Sequence, residues 1–151
     1  MESLHYQLMR AHMQLNRIVL SQAAELGLTS GQPKVLEFLH MAGESDQKSI
    51  AGYCEIEPAT VGSILGRMES AGLISRRQKD GNRRSLFVSL TPKGERFAEK
   101  IDAIFAAADK AAAASLSAAQ LDALKQALCA VSQSLSEAAG PQQKERKANA
   151  G

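Results

Sequence analysis

Apolar residues fall at helical spacing from the start of the chain. Leu4, Leu8, Ala11, Leu15 and Ile18 recur at steps of four and three, which predicts a long first helix with one apolar face, ending near Gly27. Thr29 and Gln32 have the T-x-x-Q spacing of a capping box and open a second helix that buries Val35, Leu36 and Leu39 before Gly43 breaks it. Asp46 caps a short third helix with Ile50, Ala51 and Cys54 inward. After a brief turn, Pro58 suits the first position of a fourth helix, where a missing N–H costs nothing. Val61, Ile64, Leu65 and Met68 form its buried stripe, and Ala71-Gly72 stops it.

From Leu73 the period changes to two. Leu73 to Gln78 reads as a strand, and Leu86, Val88 and Leu90 alternate with Ser85, Phe87 and Ser89, the pattern of a half-buried strand. Lys79-Asp80-Gly81-Asn82-Arg83-Arg84 lies between them, and Asp-Gly is a strong hairpin turn signal. Thr91-Pro92 then caps and starts a long fifth helix reaching about Ser115. Ser117 and Gln120 make a second capping box, and the sixth helix sets Leu121, Leu124, Leu128, Val131 and Leu135 on one seam. Residues 140–151 carry no apolar face and read as a disordered tail.

This order predicts a mainly α protein with a small β-hairpin, a winged helix-turn-helix with long flanking helices. Residues 29–90 form the compact winged block, and 1–28 with 91–139 form a helical dimerisation region. The flanking helices hold more apolar surface than so small a block covers, so part of it should meet a second copy of the chain.

Composition narrows the function. The 151 residues include no Trp and only four Phe and two Tyr, so the core must be aliphatic. No apolar run approaches the ~20 residues that spanning a membrane needs. Glu2, His5, Gln7 and Arg10 do not resemble a secretory leader. Cys54 and Cys129 stand far apart with neither disulfide nor zinc spacing, which suits a reducing cytoplasm; Cys54 falls on a core stripe. His5 and His12 share a helix face without a third ligand, and His40 sits near a helix C-terminus, where the dipole favours it. No metal, cofactor or catalytic grouping is expected: there is no G-x-S-x-G, P-loop, H-E-x-x-H or dinucleotide fingerprint.

Net charge is only +2, so its placement decides. Arg76, Arg77, Lys79, Arg83 and Arg84 put five cations within nine residues, opposed only by Asp80. A hairpin this basic, directly after a short helix, a turn and a helix with the small polar positions Thr60, Gly62 and Ser63, points to duplex DNA. The fourth helix would enter the major groove while the hairpin reaches phosphates or the minor groove. Arg76 and Arg77 would meet phosphate. The alternative is a winged-helix module for protein contact, with its basic hairpin merely solvated.

The stretch EIEPATVGSILGRMESAGLISRRQKDGNRRSLFVSLTPKG, Glu55 to Gly94, resembles the multiple-antibiotic-resistance regulator (MarR) family, and the likeness extends through LGLTSGQPKVLEFL, Leu26 to Leu39. The resemblance implies a homodimer built through the first, fifth and sixth helices, bound to a pseudo-palindromic operator as a repressor that a small-molecule effector releases. It implies base contacts for Thr60 and Ser63, a DNA-facing Arg67, and a wing in which Asp80 pairs with Arg83 or Arg84 while the other arginine enters the minor groove. Gly62 and Ser63 replace larger polar or basic residues common in the family, so its sequence preference does not transfer. The first helix also lacks the cysteine of the peroxide-sensing branch.

Overall fold

The computed structural model describes residues 1–79 and 82–140, with the backbone alone for Lys79 and for 82–85. The elements run α1 (Leu4–Glu25), α2 (Gln32–Ala42), β1 (Ser45–Asp46), α3 (Gln47–Cys54), α4 (Pro58–Ser70), β2 (Ile74–Lys79), β3 (Asn82–Leu90), α5 (Pro92–Ala112) and α6 (Ala118–Ala138). Two compact units divide the chain, Met1–Ala108 and a second beginning at Asp109. Of the expected tail, 140–151, all but Gly140 lies outside the described residues.

The first unit owes its core to the predicted stripes. Val35, Leu36 and Leu39 of α2, Ile50, Ala51 and Cys54 of α3, and Val61, Ile64, Leu65 and Met68 of α4 pack into one buried cluster with Ile74, Val88, Ala98 and Ile101. Burying such aliphatic side chains contributes ~1.5–3 kcal/mol each. The stripe read for α1 behaves differently. Leu4, Ala11 and Ile18 are exposed, whereas Val19 and Ala23 are buried. Within one chain, only the last turns of α1 meet the core.

Three local signals work as read. Asp46 Oδ1 accepts the Ser49 N–H at 2.7 Å, Thr91 Oγ1 accepts the Gly94 N–H at 3.0 Å, and Ser117 with Gln120 closes both halves of a capping box. The box at Thr29 is only half made. Gln32 Oε1 accepts the Thr29 N–H at 2.9 Å, but the helix starts at Gln32 behind Gly31, so Thr29 is not its cap. Gln32 is itself buried, which explains why its side chain turns back to the nearest free donor.

The sheet gains a strand that periodicity did not reveal. Ser45 and Asp46 pair antiparallel with Val88 and Phe87, giving the order β1-β3-β2. Two residues are too few to display an alternation. Between β2 and β3 the register runs from Ile74↔Leu90 to Gln78↔Leu86, with an irregularity at Gln78/Lys79.

The exit of α4 is bound to the entrance of α5. Leu73 N–H donates to Met68 O and Gly72 N–H to Glu69 O, a Schellman closure in which Gly72 takes φ 74°. Lys93 Nζ donates to Ala71 O at 2.8 Å, Thr91 Oγ1 to Gly72 O at 2.6 Å, and Thr91 N to Leu73 O at 3.0 Å. Three successive carbonyls thus find donors from the Thr-Pro-Lys-Gly run. Gly94 packs so closely that a Cβ there would stand 1.9 Å from Leu73 O.

Candidate nucleic-acid interface

The turn between α3 and α4 is three residues, Glu55-Ile56-Glu57. Glu55 adopts φ 53°, the one left-handed non-glycine among the described residues, and the Ile56 N–H closes onto Ala51 O at 3.1 Å. Such a conformation costs roughly 1–3 kcal/mol, and Ile56, packed against the core, helps to hold it. This sharp corner sets α4 across α3 with one face sealed. Thr60, Ser63 and Arg67, spaced three and four apart, share the opposite, exposed face. A methyl group added at Gly62 would meet nothing within 4 Å, so a neighbouring molecule can approach the backbone there.

Arg76 and Arg77 of β2 lie on opposite faces of the hairpin. Alternation sends Arg76 to the face of Ile74 and Val88, toward α4, where its Nη2 and Nε lie 3.3 and 3.4 Å from the Glu69 carboxylate. Arg77 takes the outer face, where Nη2 and Nε donate to the two carboxylate oxygens of Glu44 at 2.6 and 2.9 Å. Its side chain remains 60% exposed. Both arginines therefore have acidic partners within the chain before any phosphate arrives. The backbones of Arg83 and Arg84 belong to β3, while their side chains, and Asp80 altogether, lie outside the described residues.

Sequence reasoning missed Glu44 and Glu69. Glu69 stands seven residues before Arg76, across a helix end and a turn, and Glu44 is 33 residues before Arg77. Neither separation corresponds to a local spacing rule; the sheet order brings Glu44 to Arg77, and the packing of α4 on β2 brings Glu69 to Arg76.

His40, expected to answer the α2 dipole, has stronger partners. Its Nδ1 is 2.8 Å from Glu95 Oε2 and its Nε2 3.5 Å from Asp102 Oδ2, both on α5. The hydrogen bond with Glu95 raises its pKa above the usual 6.5, burial pulls the other way, and the charges of Asp102, Glu95 and Glu99 add to the rise. Cys54 is buried, and burial pushes its thiol up to about 11. Along the α6 seam no residue is buried: Leu124, Leu128 and Leu135 are exposed, and Leu121 and Val131 are half-buried. Among the described residues no helix is long and apolar enough to cross a membrane.

The model of the MarR family matches residues 28–86. The chain is 29% identical over 117 residues to the HTH-type transcriptional repressor Rv2887 of Mycobacterium tuberculosis, covering 78% of this chain and 84% of that protein. It is 30% identical over 115 residues to the HTH-type transcriptional regulator MgrA of Staphylococcus aureus, covering 76% of each. In structure it resembles BpsR of Bordetella bronchiseptica, whose DNA binding is regulated by 6-hydroxynicotinic acid, with a TM-score of 0.79 at 24% identity over 87% of this chain and 99% of that one.

Proposed function

The chain belongs to the MarR family, and from that premise we propose that it is a homodimeric, DNA-binding transcriptional regulator. It acts as a repressor on a pseudo-palindromic operator and is released by a small-molecule effector. The observation that carries this reading is α4. One face is fully sealed in the core while Thr60, Ser63 and Arg67 line the other, the arrangement a helix needs to lie in a major groove. Repression is supported by the similarity to Rv2887, and effector control by the structural likeness to BpsR.

Thr60 and Ser63 read base edges and Arg67 supports them. Arg76 and Arg77 serve phosphate, and Asp80 braces one of Arg83 and Arg84 while the other enters the minor groove. Residues 29–90 are the DNA-binding region. Residues 1–28 and 91–139 supply the dimer contact, with Leu121, Leu124, Leu128, Val131 and Leu135 at its seam. Such a protein works in the cytoplasm beside the chromosome and performs no catalysis.

The test is a titration of the purified protein against a duplex it selects from a random pool, read by fluorescence anisotropy. Affinity should fall steeply between ~50 and ~200 mM salt, as release of several phosphate counterions requires. Arg83→Ala and Arg84→Ala should both weaken binding without unfolding the protein, and the one whose loss also reduces preference for A·T-rich flanks is the inserted arginine. Absence of any duplex binding at low salt would leave the winged block as a protein-contact module.

A further inference from the structure

The outer face of the sheet carries a carboxylate that the DNA-binding reading does not use. Glu44 occupies the corner between α2 and β1, at one edge of the β1-β3-β2 order. Its Oε2 accepts from Ser89 Oγ on the central strand at 2.8 Å and from Arg77 Nε on the far strand at 2.9 Å, while Oε1 accepts from Arg77 Nη2 at 2.6 Å. Register explains the meeting: Ser75 faces Ser89 and Arg77 faces Phe87, so Arg77 and Ser89 point to the same side. One side chain thus spans all three strands at the root of the hairpin.

We propose that Glu44 is a positioning residue for DNA binding, which keeps Arg77 on the sheet until an operator phosphate is seated against the hairpin. The inference rests on the reading that this chain binds duplex DNA through α4 and the hairpin. A guanidinium has one positive charge, so a carboxylate and a phosphate compete for it. The fork of Arg77 is already matched by two carboxylate oxygens, the geometry that also suits phosphate. A loosely docked, non-specific duplex gains little by displacing Glu44, because Arg77 must leave a bidentate partner and Ser89 loses its acceptor. In the operator complex the other contacts fix the duplex in place, and the exchange of partners becomes favourable. Breaking the Glu44–Arg77 pair is a cost borne by the operator complex, so Glu44 lowers specific affinity at least as much as non-specific affinity.

Glu44→Gln, Glu44→Asp, Arg77→Ala and the double variant Glu44→Gln/Arg77→Ala would be titrated with two probes over a range of salt. One probe is a mixed-sequence duplex and the other a duplex selected by the parent protein; thermal melting checks that each variant folds. Glu44→Gln should bind the mixed-sequence duplex about two- to fivefold more tightly, the size of one exposed ion pair. On that duplex its log K against log salt should steepen by about 1, for one added phosphate contact, and its affinity for the selected duplex should rise at least as much. Arg77→Ala should weaken the selected duplex, and in that background Glu44→Gln should change neither affinity nor slope. Glu44→Asp keeps the charge but loses the reach across β3, so it should follow Glu44→Gln. The proposal is overturned if Glu44→Gln leaves mixed-sequence affinity and slope unchanged. It is equally overturned if the change persists without Arg77, or if Glu44→Asp behaves like the parent, because charge alone would then explain the effect. A parent protein that binds neither duplex would defeat the DNA-binding reading and this inference with it; normal parent binding with unchanged variants defeats the inference alone.

Discussion

α4 and α6 are both amphipathic helices with apolar residues three and four positions apart, yet they end in opposite states. In α4, Val61, Leu65 and Met68 are 0% exposed and Ile64 3%; in α6, Leu124 is 44%, Leu128 41% and Leu135 62% exposed. The difference does not lie in periodicity, which is equally regular in both. It lies in what surrounds each helix. α4 is enclosed by α2, α3, the sheet and the start of α5, all within ~60 residues of sequence, whereas no residue of the α6 seam is buried. A hydrophobic stripe announces that something will cover it, and says nothing about which chain supplies the cover.

The largest effects should separate the two helices outright. Leu65→Ala removes a fully buried side chain and should cost ~2–5 kcal/mol of folding stability, at any protein concentration, as measured by urea unfolding. Leu128→Asp should instead act on assembly, placing an unpaired charge in an apolar contact at a cost of several kcal/mol. Equilibrium sedimentation should show a parent dimer and a monomeric variant. If Leu128→Asp remains a dimer, the seam is not the contact and the comparison fails at its open end.

Gly94→Ala probes the closed end at backbone level. The added methyl would meet Leu73 O at 1.9 Å, so the α4–α5 junction must shift. A loss of ~1–3 kcal/mol or more is expected, with a lower thermal midpoint; an unchanged midpoint would mean that the junction yields freely.

A smaller, pH-dependent effect belongs to His40. Its folded pKa is raised above 6.5, so its contribution is fully present below that value and is lost as pH rises through the folded pKa. Thermal midpoints should therefore fall modestly from below pH 6.5 upward. His40→Gln should flatten that slope, since both carboxylate partners lose the charge they face.

Thiol chemistry provides the least perturbing contrast. Cys54, buried with its pKa near 11, should resist iodoacetamide at pH 8 until the protein is unfolded, because only the thiolate reacts. Cys129 is exposed within its own chain and should label in the folded protein. Mass spectrometry would locate the adducts, and protection of Cys129 would place it inside an interchain contact.

The same contrast explains how far the sequence could be read. All six helices, the hairpin and the stripes of α2, α3 and α4 were legible because each depends on residues within a turn or two of one another. Thr29 misled because its capping spacing satisfied a rule that the local backbone, entering α2 through Gly31, did not follow. β1 escaped notice because two residues carry no period. Thr60, Ser63 and Arg67 could be placed on a common face from spacing alone, and all three are exposed. The acidic partners of Arg76 and Arg77 could not, since strand order brings Glu44 to Arg77 and the packing of α4 on β2 brings Glu69 to Arg76. For the same reason the basic run gave a count of charges without revealing that two were already engaged.

The bonds from Ala71, Gly72 and Leu73 to Thr91 and Lys93 have a mechanical consequence. They join α4 to α5 with little freedom at the hinge, so the two helices turn as one lever. α5 has 21 residues, and at 1.5 Å per residue it is about 31 Å long. With the junction as pivot, a shift of ~5 Å at the far end of such a rod corresponds to a tilt of only ~10° at α4. The tilt turns the row of Thr60, Ser63 and Arg67 with it. The surface proposed to read a sequence would therefore be re-aimed by a force applied at the distant end of α5, without a single atom of α4 being touched.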